Sequence, residues 1–210
     1  AVCRNCLNDM FDPEGRRWRY AFTSCVHCGP RYSISRGLPF ERLRTSLKPF
    51  VMCNKCQAEY RRPEDKRLLA EGNSCPKCGP QLALLSADGK LVPGDAIAGA
   101  YALLKAGKIV AIKGVGGFHL ACDAHNASAV ALLRARKARR LKPLPVMLAN
   151  ALSATAYVQL SVGEPGLLNL PERPIILLRK RGQCDTALLG VAPGIAWLGV
   201  MLPSSPTHYL

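Results

Sequence analysis

The chain has 210 residues, of which 49% are hydrophobic, and a formal net charge of +15. This length suits one or two domains, and this composition is enough to bury a core in at least one of them, so the sequence describes a globular protein. Apolar runs such as residues 175–178 are far shorter than the roughly 20 residues of a membrane-spanning helix, so no part of this chain is expected to cross a membrane.

Eight of the ten cysteines occur as C-x2-C pairs. The N-terminus has no secretory signal pattern, and paired cysteines in a non-secretory chain favour metal ligands over disulfides, which indicates a reducing cytoplasm. Eight ligand thiolates and two zinc ions would together lower the net charge by four, to about +11. The surface would stay basic and favour anionic partners, whether nucleic acid, nucleotide or phosphorylated metabolite.

Comparison of the chain with itself at an offset of fifty residues reveals an internal duplication. Arg17 matches Arg67, and each copy reads C-x2-C-x18-C-x2-C. Because the short gap lets both thiolates of a pair reach one tetrahedral ion at about 2.3 Å, the spacing predicts two structural zinc sites. Finger one spans residues 3–28 and finger two spans 53–78. The ligands are Cys3, Cys6, Cys25 and Cys28 in finger one, and Cys53, Cys56, Cys75 and Cys78 in finger two.

Spacing alone leaves the assignment of ligands partly open. We expect four cysteines of one repeat on each ion, but an interleaved arrangement fits the spacing too. His27 is an alternative ligand, although a solvated side chain is favoured because Lys77 fills the matching position. Each repeat has few apolar residues, so metal binding should supply most of its folding free energy. Basic residues interleaved with Trp18, Tyr20, Phe22 and Tyr32 allow a second interpretation, a nucleic-acid surface; packing of these aromatics around the metal turns is favoured.

Turn signals between the cysteine pairs and residue 94 place a domain boundary near residue 90. Beyond it, Asp95 is expected to cap a helix that Gly107 ends, and residues 108–113 to form a buried strand. Residues 114–119, Gly-Val-Gly-Gly-Phe-His, follow that strand. Such a glycine-rich turn permits close approach of the backbone to a ligand, and a hairpin-like bend between two strands is the equally weighted alternative.

The remaining pattern predicts a mixed α/β domain. A strand at 120–123 precedes a helix capped by Asn126 or Ser128. Further strands are expected at 146–148, 175–178 and, as a strand or turn, 199–202, with a helix near 152–160. Lys137 and Arg139 could share an anion only if the helix ends near Lys137; the alternative is a solvated basic helix end. Six basic residues crowd that region: Arg134, Arg136, Lys137, Arg139, Arg140 and Lys142.

Three segments together resemble the HypF family. They are the paired Cys-x-x-Cys-Gly-Pro knuckles, the run Ile112-Lys-Gly-Val-Gly-Gly-Phe-His-Leu-Ala-Cys-Asp, and Arg136-Lys-Ala-Arg with Lys142-Pro-Leu. The resemblance implies an α/β fold class: a small tandem four-cysteine zinc-finger region at 1–90, then a C-terminally incomplete, mixed-sheet YrdC-like domain at 91–210. HypF proteins are carbamoyltransferases that use carbamoyl phosphate and ATP with Mg²⁺ to form carbamoyl adenylate. They pass the carbamoyl group to the C-terminal cysteine of HypE, and it becomes a cyanide ligand of nickel-iron hydrogenase.

The resemblance also implies roles for residues of the second domain. Lys137 and Arg139 match the family's Lys-x-Arg pair and would stabilise charge that develops on the α-phosphate. Phe118 would pack on the ligand. For His119 there are two equal interpretations, a contact with the ligand or a packed core histidine. Cys122 and Cys184 are expected to be buried, unpaired thiols. The nucleotide-binding residues implied are Lys113, Gly114, Gly116, Gly117, Phe118, His119 and Lys142.

The family pattern extends beyond this sequence. Its acylphosphatase domain is expected before Ala1, and its Ser-x-Asn segment and transferase domain after Leu210, so the chain alone is expected not to complete carbamoyl transfer. YrdC-like domains are also associated as a class with double-stranded RNA. A zinc-stabilised nucleic-acid binding module is therefore the alternative function.

Overall fold

The computed structural model describes residues 1–139 and 141–210, and it separates into two compact units. Unit one comprises Ala1–Leu82, Gly114–Gly117 and Ser204–Leu210. Unit two comprises Ala83–Lys113 and Phe118–Pro203. The domain bounds 1–90 and 91–210 stay a prediction. Within the described ranges, every helix is too short or too polar to cross a bilayer.

Unit one is built on two short helices, one in each repeat. Helix α1 (Arg4–Phe11) begins directly after Cys3, and α2 (Asn54–Arg61) begins directly after Cys53. Both cysteines have extended backbones and occupy the N-cap, so the second cysteine of each pair lies in the first helical turn. Two 3-10 turns lie between the repeats, and a short C-terminal helix completes the unit; these are Tyr32–Ile34, Arg42–Arg44 and Pro206–Tyr209.

The duplication is repeated in backbone detail. Arg19 and Leu69, fifty residues apart, have φ of 52° and 53°, a left-handed conformation that is rare for residues other than glycine. The Arg19 amide donates to the Met10 carbonyl at 2.8 Å, and the Leu69 amide donates to the Tyr60 carbonyl at 3.0 Å. Each bond folds the chain back onto the helix before it, so both repeats turn in the same way.

Unit two holds most of the strands and an apolar core. Its helices are α3 (Ala96–Lys105), α4 (Ala127–Arg136), α5 (Ala151–Ala154), α6 (Glu164–Leu168) and α7 (Cys184–Ala187); C-terminal to them, Pro206–Tyr209 of unit one is α8. The strands are β1 (Leu84–Leu85), β2 (Leu91–Val92), β3 (Val110–Gly114), β4 (Gly117–Ala121), β5 (Val146–Met147), β6 (Ile176–Arg179) and β7 (Trp197–Met201). β1 pairs with β2, β3 with β4, and the third sheet has the order β5-β7-β6.

The core of unit two surrounds its three-stranded sheet. β7 runs parallel to β5 and antiparallel to β6, so Val200 lies opposite both Val146 and Ile176. Leu178 and Leu198 are fully buried beside it, and Val130 and Leu133 of α4 pack onto the same cluster. Burying each such side chain contributes about 1.5–3 kcal/mol, which makes this sheet the stable centre of the unit.

The predicted helix starts are observed. The Asp95 carboxylate accepts hydrogen bonds from the amides of Ile97 and Ala98 at 2.8 and 3.1 Å, and α3 ends before Gly107, which has φ of 71°. Asn126 rather than Ser128 caps α4, because its side-chain oxygen accepts from the Ala129 amide at 2.9 Å.

Three predicted elements differ from those observed. The strand expected at 120–123 is β4 at Gly117–Ala121, which begins three residues earlier. The strand at 108–113 was expected to be buried, but only Val110 of β3 is buried, because among residues 1–139 and 141–210 β3 pairs with β4 alone, in a two-stranded sheet. The helix expected near 152–160 ends at Ala154, since Val158 joins Lys180 in an antiparallel bridge instead. Arg140, one of the six clustered basic residues, lies outside the described residues.

Candidate metal centres and nucleotide site

The four sulfurs of finger one converge on a common centre, which we call metal site one. Its members, Cys3, Cys6, Cys25 and Cys28, have Sγ atoms that all lie within 4.8 Å of one another. The Cys3–Cys25 and Cys25–Cys28 sulfurs are 3.6 and 3.8 Å apart. Zinc–sulfur bonds of about 2.3 Å at tetrahedral angles place sulfurs about 3.8 Å apart, whereas a disulfide requires about 2.05 Å. The spacing suits a metal ion.

Metal site two has the same geometry. Its members are Cys53, Cys56, Cys75 and Cys78, and their Sγ atoms also lie within 4.8 Å of one another. Cys75 lies 3.8 Å from both Cys53 and Cys78, and Cys78 lies 3.6 Å from Cys56. The structure therefore groups the cysteines within each repeat and does not interleave them. Two such four-cysteine sites are compatible with structural zinc, since no coordination place is left for water or substrate.

The four thiols of each site lie close together, and a cation would compensate the repulsion between their thiolates. In metal site one, the hydrogen bond with Cys28 and then burial raise the pKa of Cys6, while that hydrogen bond lowers the pKa of Cys28 to about 4. In metal site two, burial raises the pKa of Cys56; burial also acts to raise the pKa of Cys53, but hydrogen bonds from neighbouring cysteines outweigh it and lower that pKa to about 7. Four thiolates this close repel one another, so a divalent ion is needed to ionise all four.

The knuckle between the last two cysteines leaves its central side chain in solvent. His27 is exposed, and only its backbone amide approaches a ligand sulfur, that of Cys25, at 3.4 Å. Lys77 is exposed at the matching position. This geometry agrees with a solvated His27, and the four-sulfur group of finger one is complete without it.

A glycine is required where the second knuckle ends. A Cβ placed on Gly79 would lie 2.0 Å from the Tyr20 hydroxyl and 2.6 Å from the Ser74 Cβ. The Tyr20 hydroxyl lies 3.2 Å from both the Ser74 hydroxyl and the Pro80 carbonyl, so a buried tyrosine of finger one packs on the knuckle of finger two. Burial raises the pKa of Tyr20 to about 12. Packing around the metal turns therefore describes Tyr20, whereas Tyr32 is 96% exposed.

Arg17 crosses from finger one to metal site two. Its side chain is only 3% exposed. The guanidinium donates to both carboxylate oxygens of Glu59 at 3.0 and 2.6 Å, to the Ser74 carbonyl at 2.9 Å and to the Asn73 side-chain oxygen at 2.8 Å. Arg16 adds a hydrogen bond to the Cys56 sulfur at 2.8 Å. Finger one thus supplies two arginine side chains to the surroundings of the second set of cysteines.

Arg67 makes the reciprocal connection. It is 4% exposed, and it donates to the Ser24 carbonyl at 3.1 Å and to the Asp9 carboxylate. Lys66 donates to the other Asp9 oxygen at 2.9 Å. The sequence comparison aligned Arg17 with Arg67 but gave these arginines no role. The signal that was missed is an acidic residue at the same offset, Asp9 against Glu59.

The glycine-rich segment forms a hairpin. β3 and β4 are joined by Val115 and Gly116, which is the bend that the sequence left as an alternative. The Lys113 ammonium lies 5.6 Å from the centre of the Phe118 ring, within cation–π range, and Phe118 is 70% exposed. His119 is also exposed, so it is not a packed core histidine.

The basic segment begins where α4 stops. Lys137 is the C-cap, and its amide donates to the Leu133 carbonyl at 3.1 Å. Ala138 has φ of 49°, and the Arg139 amide donates to the Arg134 carbonyl at 3.0 Å, so the chain leaves the helix at the point that a shared anion site requires. The Lys142 carbonyl accepts from the Arg134 side chain at 3.2 Å. The nucleotide-site roles of Lys137, Arg139 and Lys142 stay predictions.

The two Cys122 and Cys184 thiols are free, as expected, but they differ in burial. Cys184 is buried in the core cluster of unit two, whereas Cys122 is only partly buried against it. Burial raises the pKa of both thiols. Neither thiol is therefore ionised at neutral pH, which is typical of structural cysteines.

Two protein-family models match this chain, one over its second half and one over the two four-cysteine repeats. Residues 102–210 match the Sua5/YciO/YrdC family, described as Telomere recombination, and residues 2–35 and 52–85 match the family described as HypF finger. The chain therefore belongs to the Sua5/YciO/YrdC family and carries two HypF-type fingers. The α/β fold class with tandem four-cysteine fingers and a YrdC-like domain is confirmed.

Whole-chain relatives narrow the class to HypF. The chain is 60% identical over its full length to Carbamoyltransferase HypF2 of Cupriavidus necator and 51% identical to Carbamoyltransferase HypF of Rhodobacter capsulatus. It covers 26% and 28% of those proteins, about a quarter of their length. The resemblance to HypF stated from the sequence is thereby confirmed.

Solved structures of HypF have the same fold over this region. The T. kodakarensis HypF crystal structure matches all of the chain with a TM-score of 0.95 at 43% identity. A full-length HypF, solved in a phosphate- and nucleotide-bound form, matches 99% of the chain with a TM-score of 0.90 at 44% identity. In both comparisons the chain covers 27% of the solved protein.

Proposed function

We propose that this chain is part of a carbamoyltransferase that matures nickel-iron hydrogenase in the cytoplasm. Its YrdC-like domain would use ATP, Mg²⁺ and carbamoyl phosphate to make carbamoyl adenylate, and the whole enzyme would pass the carbamoyl group to the C-terminal cysteine of HypE. The observation that carries this proposal is the 60% identity, over the full chain, to a protein named carbamoyltransferase. A similar HypF in a phosphate- and nucleotide-bound form supports a nucleotide substrate.

The two metal sites would be structural in this enzyme. Each would hold one zinc ion through four thiolates, with Cys3, Cys6, Cys25 and Cys28 on one ion and Cys53, Cys56, Cys75 and Cys78 on the other. The sulfur spacing of 3.6–3.8 Å supports this assignment. Bound zinc would neutralise part of the thiolate charge and fix each helix against its knuckle.

The nucleotide would be held by the hairpin and the basic segment of the YrdC-like domain. Lys137 and Arg139 would stabilise charge on the α-phosphate oxygens as the adenylate forms, with Lys113 and Lys142 as further phosphate partners. Phe118 presents an exposed ring for packing, and His119 an exposed imidazole. A Cβ on Gly116 or Gly117 would meet no described atom within 4 Å, so internal packing leaves this backbone open to a ligand. Gly114, the last residue of β3, would belong to the same site.

Calorimetric titration of the purified chain with Mg-ATP tests this site. Removing both cations in the double variant K137A/R139A should weaken binding at least tenfold, because two charge-assisted phosphate contacts are lost. K90A, which removes an exposed lysine of the β1–β2 hairpin, is the matched control and should bind as the parent chain does. Equal affinity of K137A/R139A and the parent chain would contradict the proposed roles.

Nucleic-acid binding is the second candidate function. The observation in its favour is Tyr32, which is 96% exposed and flanked by Arg31 in a chain of net charge +15. Affinity for double-stranded RNA that depends on phosphate contacts should fall steeply as salt rises. Titration with double-stranded RNA at the salt concentrations used for ATP distinguishes the two candidate functions. RNA binding without ATP binding supports the second one.

A further inference from the structure

Arg17 holds together the two parts of metal site two. One part is α2 with its N-cap Cys53. This helix carries Cys56 and also Glu59, whose carboxylate accepts two hydrogen bonds from Arg17. The other part is the knuckle that carries Cys75 and Cys78. Its preceding residue, Ser74, accepts the Arg17 Nε hydrogen bond through its carbonyl at 2.9 Å. One guanidinium from finger one therefore links the helix and the knuckle of finger two.

Arg67 does the same for metal site one. It binds Asp9 on α1, the helix that begins directly after Cys3 and carries Cys6. Its Nε donates at 3.1 Å to the carbonyl of Ser24, the residue before Cys25. Each set of four cysteines is therefore braced by an arginine that belongs to the other repeat.

The two arginines are positioned by the finger that does not use them. Arg17 lies in the loop that follows α1, where its carbonyl accepts from the Tyr20 amide at 3.0 Å. The Arg67 amide donates to Asp65 at 2.9 Å in the equivalent loop of finger two. A small finger folds when its ion is bound. The ion of one finger therefore orders the loop whose arginine hydrogen-bonds to the other finger.

Burial makes a half-loaded protein unfavourable. Arg17 and Arg67 are 3% and 4% exposed, and each depends on a carboxylate and a carbonyl of the opposite finger. If that finger lost its ion and opened, a buried guanidinium would lose its partners, which is a costly arrangement for a charge. Opening one finger therefore weakens the other.

We propose that Arg17 and Arg67 couple the two metal sites, so that filling either site favours filling of the other. This inference rests on the proposed zinc sites and adds a property that four cysteines alone would not give, because separate fingers would load independently. The two arginines are positioning residues for the metal centres. Their role is reciprocal, as a coupling between binding sites must be.

Native mass spectrometry of the purified chain during stepwise zinc removal by a chelator tests the coupling. When half of the zinc is gone, two equal and independent sites leave about half of the molecules with one ion, whereas tenfold coupling leaves about a quarter. The parent chain should show the lower value. R17M and R67M should each raise the one-zinc fraction, and R61M, which changes an exposed arginine at the end of α2, should not.

The possible outcomes distinguish a failure of the coupling between the sites from a failure of the proposed zinc sites. A one-zinc fraction that is the same in the parent chain, R17M and R67M overturns the coupling while leaving the metal sites intact. A parent chain that carries fewer than two zinc ions overturns the sites themselves. If R17M does not load two ions, E59Q gives the same comparison, because it weakens the brace while Arg17 keeps its bonds to Ser74 and Asn73.

Discussion

Two carboxylates fifty residues apart, Asp9 and Glu59, fasten the repeats to each other. Burial acts to raise the pKa of Asp9, but hydrogen bonds from Arg67 and Lys66 outweigh it, and the pKa lies below its usual value. Burial acts on Glu59 in the same direction, and hydrogen bonding to Arg17 again lowers the pKa. Both groups are ionised at neutral pH, so the buried arginines keep charged partners.

The lowered pKa values set the pH range in which these pairs stabilise the chain. Their contribution is fully present above the ordinary carboxyl pKa of about 4 and is lost as the pH falls through the lowered values. The double variant D9N/E59Q should therefore be less stable than the parent chain at pH 7, by about 2 kcal/mol for each pair. Denaturant unfolding at a series of pH values measures this difference, which should shrink below about pH 4. A difference independent of pH would contradict the role of charge.

At the scale of the element, the residues that cap helices were predictable from the sequence, and the pairing of strands was not. Asp95 was predicted to cap α3, and Asn126 or Ser128 to cap α4, because their side chains can accept from amides of the first turn. Asp95 and Asn126 do so. The strand that became β3 was wrongly expected to be buried, because its apolar sequence does not reveal that, in the part of the chain that the structure describes, β4 is its only partner. The alternation of exposed and partly buried side chains in β3 reflects that single pairing.

The knuckle of finger two offers a prediction at this scale. Replacing Gly79 by alanine should destabilise the metal site, since the new Cβ overlaps both the Ser74 Cβ and the Tyr20 hydroxyl. Overpacking of this kind costs about 1–3 kcal/mol, so zinc should leave G79A faster than it leaves the parent chain. The control is G37A, whose Cβ would meet no described atom within 4 Å. Zinc release followed with a chromogenic chelator measures both; equal rates for G79A and G37A would show that the knuckle tolerates the side chain.

At the scale of the whole molecule, the sequence was sufficient for the repeat, the two four-cysteine clusters and the family. Cysteine spacing carries this information because ligands of one ion must lie close together in the chain or be brought back at a fixed offset. The partners of Arg17 and Arg67 could not be predicted in this way. They lie 42 to 58 residues away, and only the folded arrangement of the two fingers brings them together.

Metal analysis combined with zinc X-ray absorption on the purified chain tests whether eight cysteines hold two zinc ions. We expect two zinc ions per chain, each with four sulfur neighbours at about 2.3 Å and no nitrogen or oxygen ligand. A metal-free folded chain, or zinc bound through His27 in place of a cysteine, would contradict it.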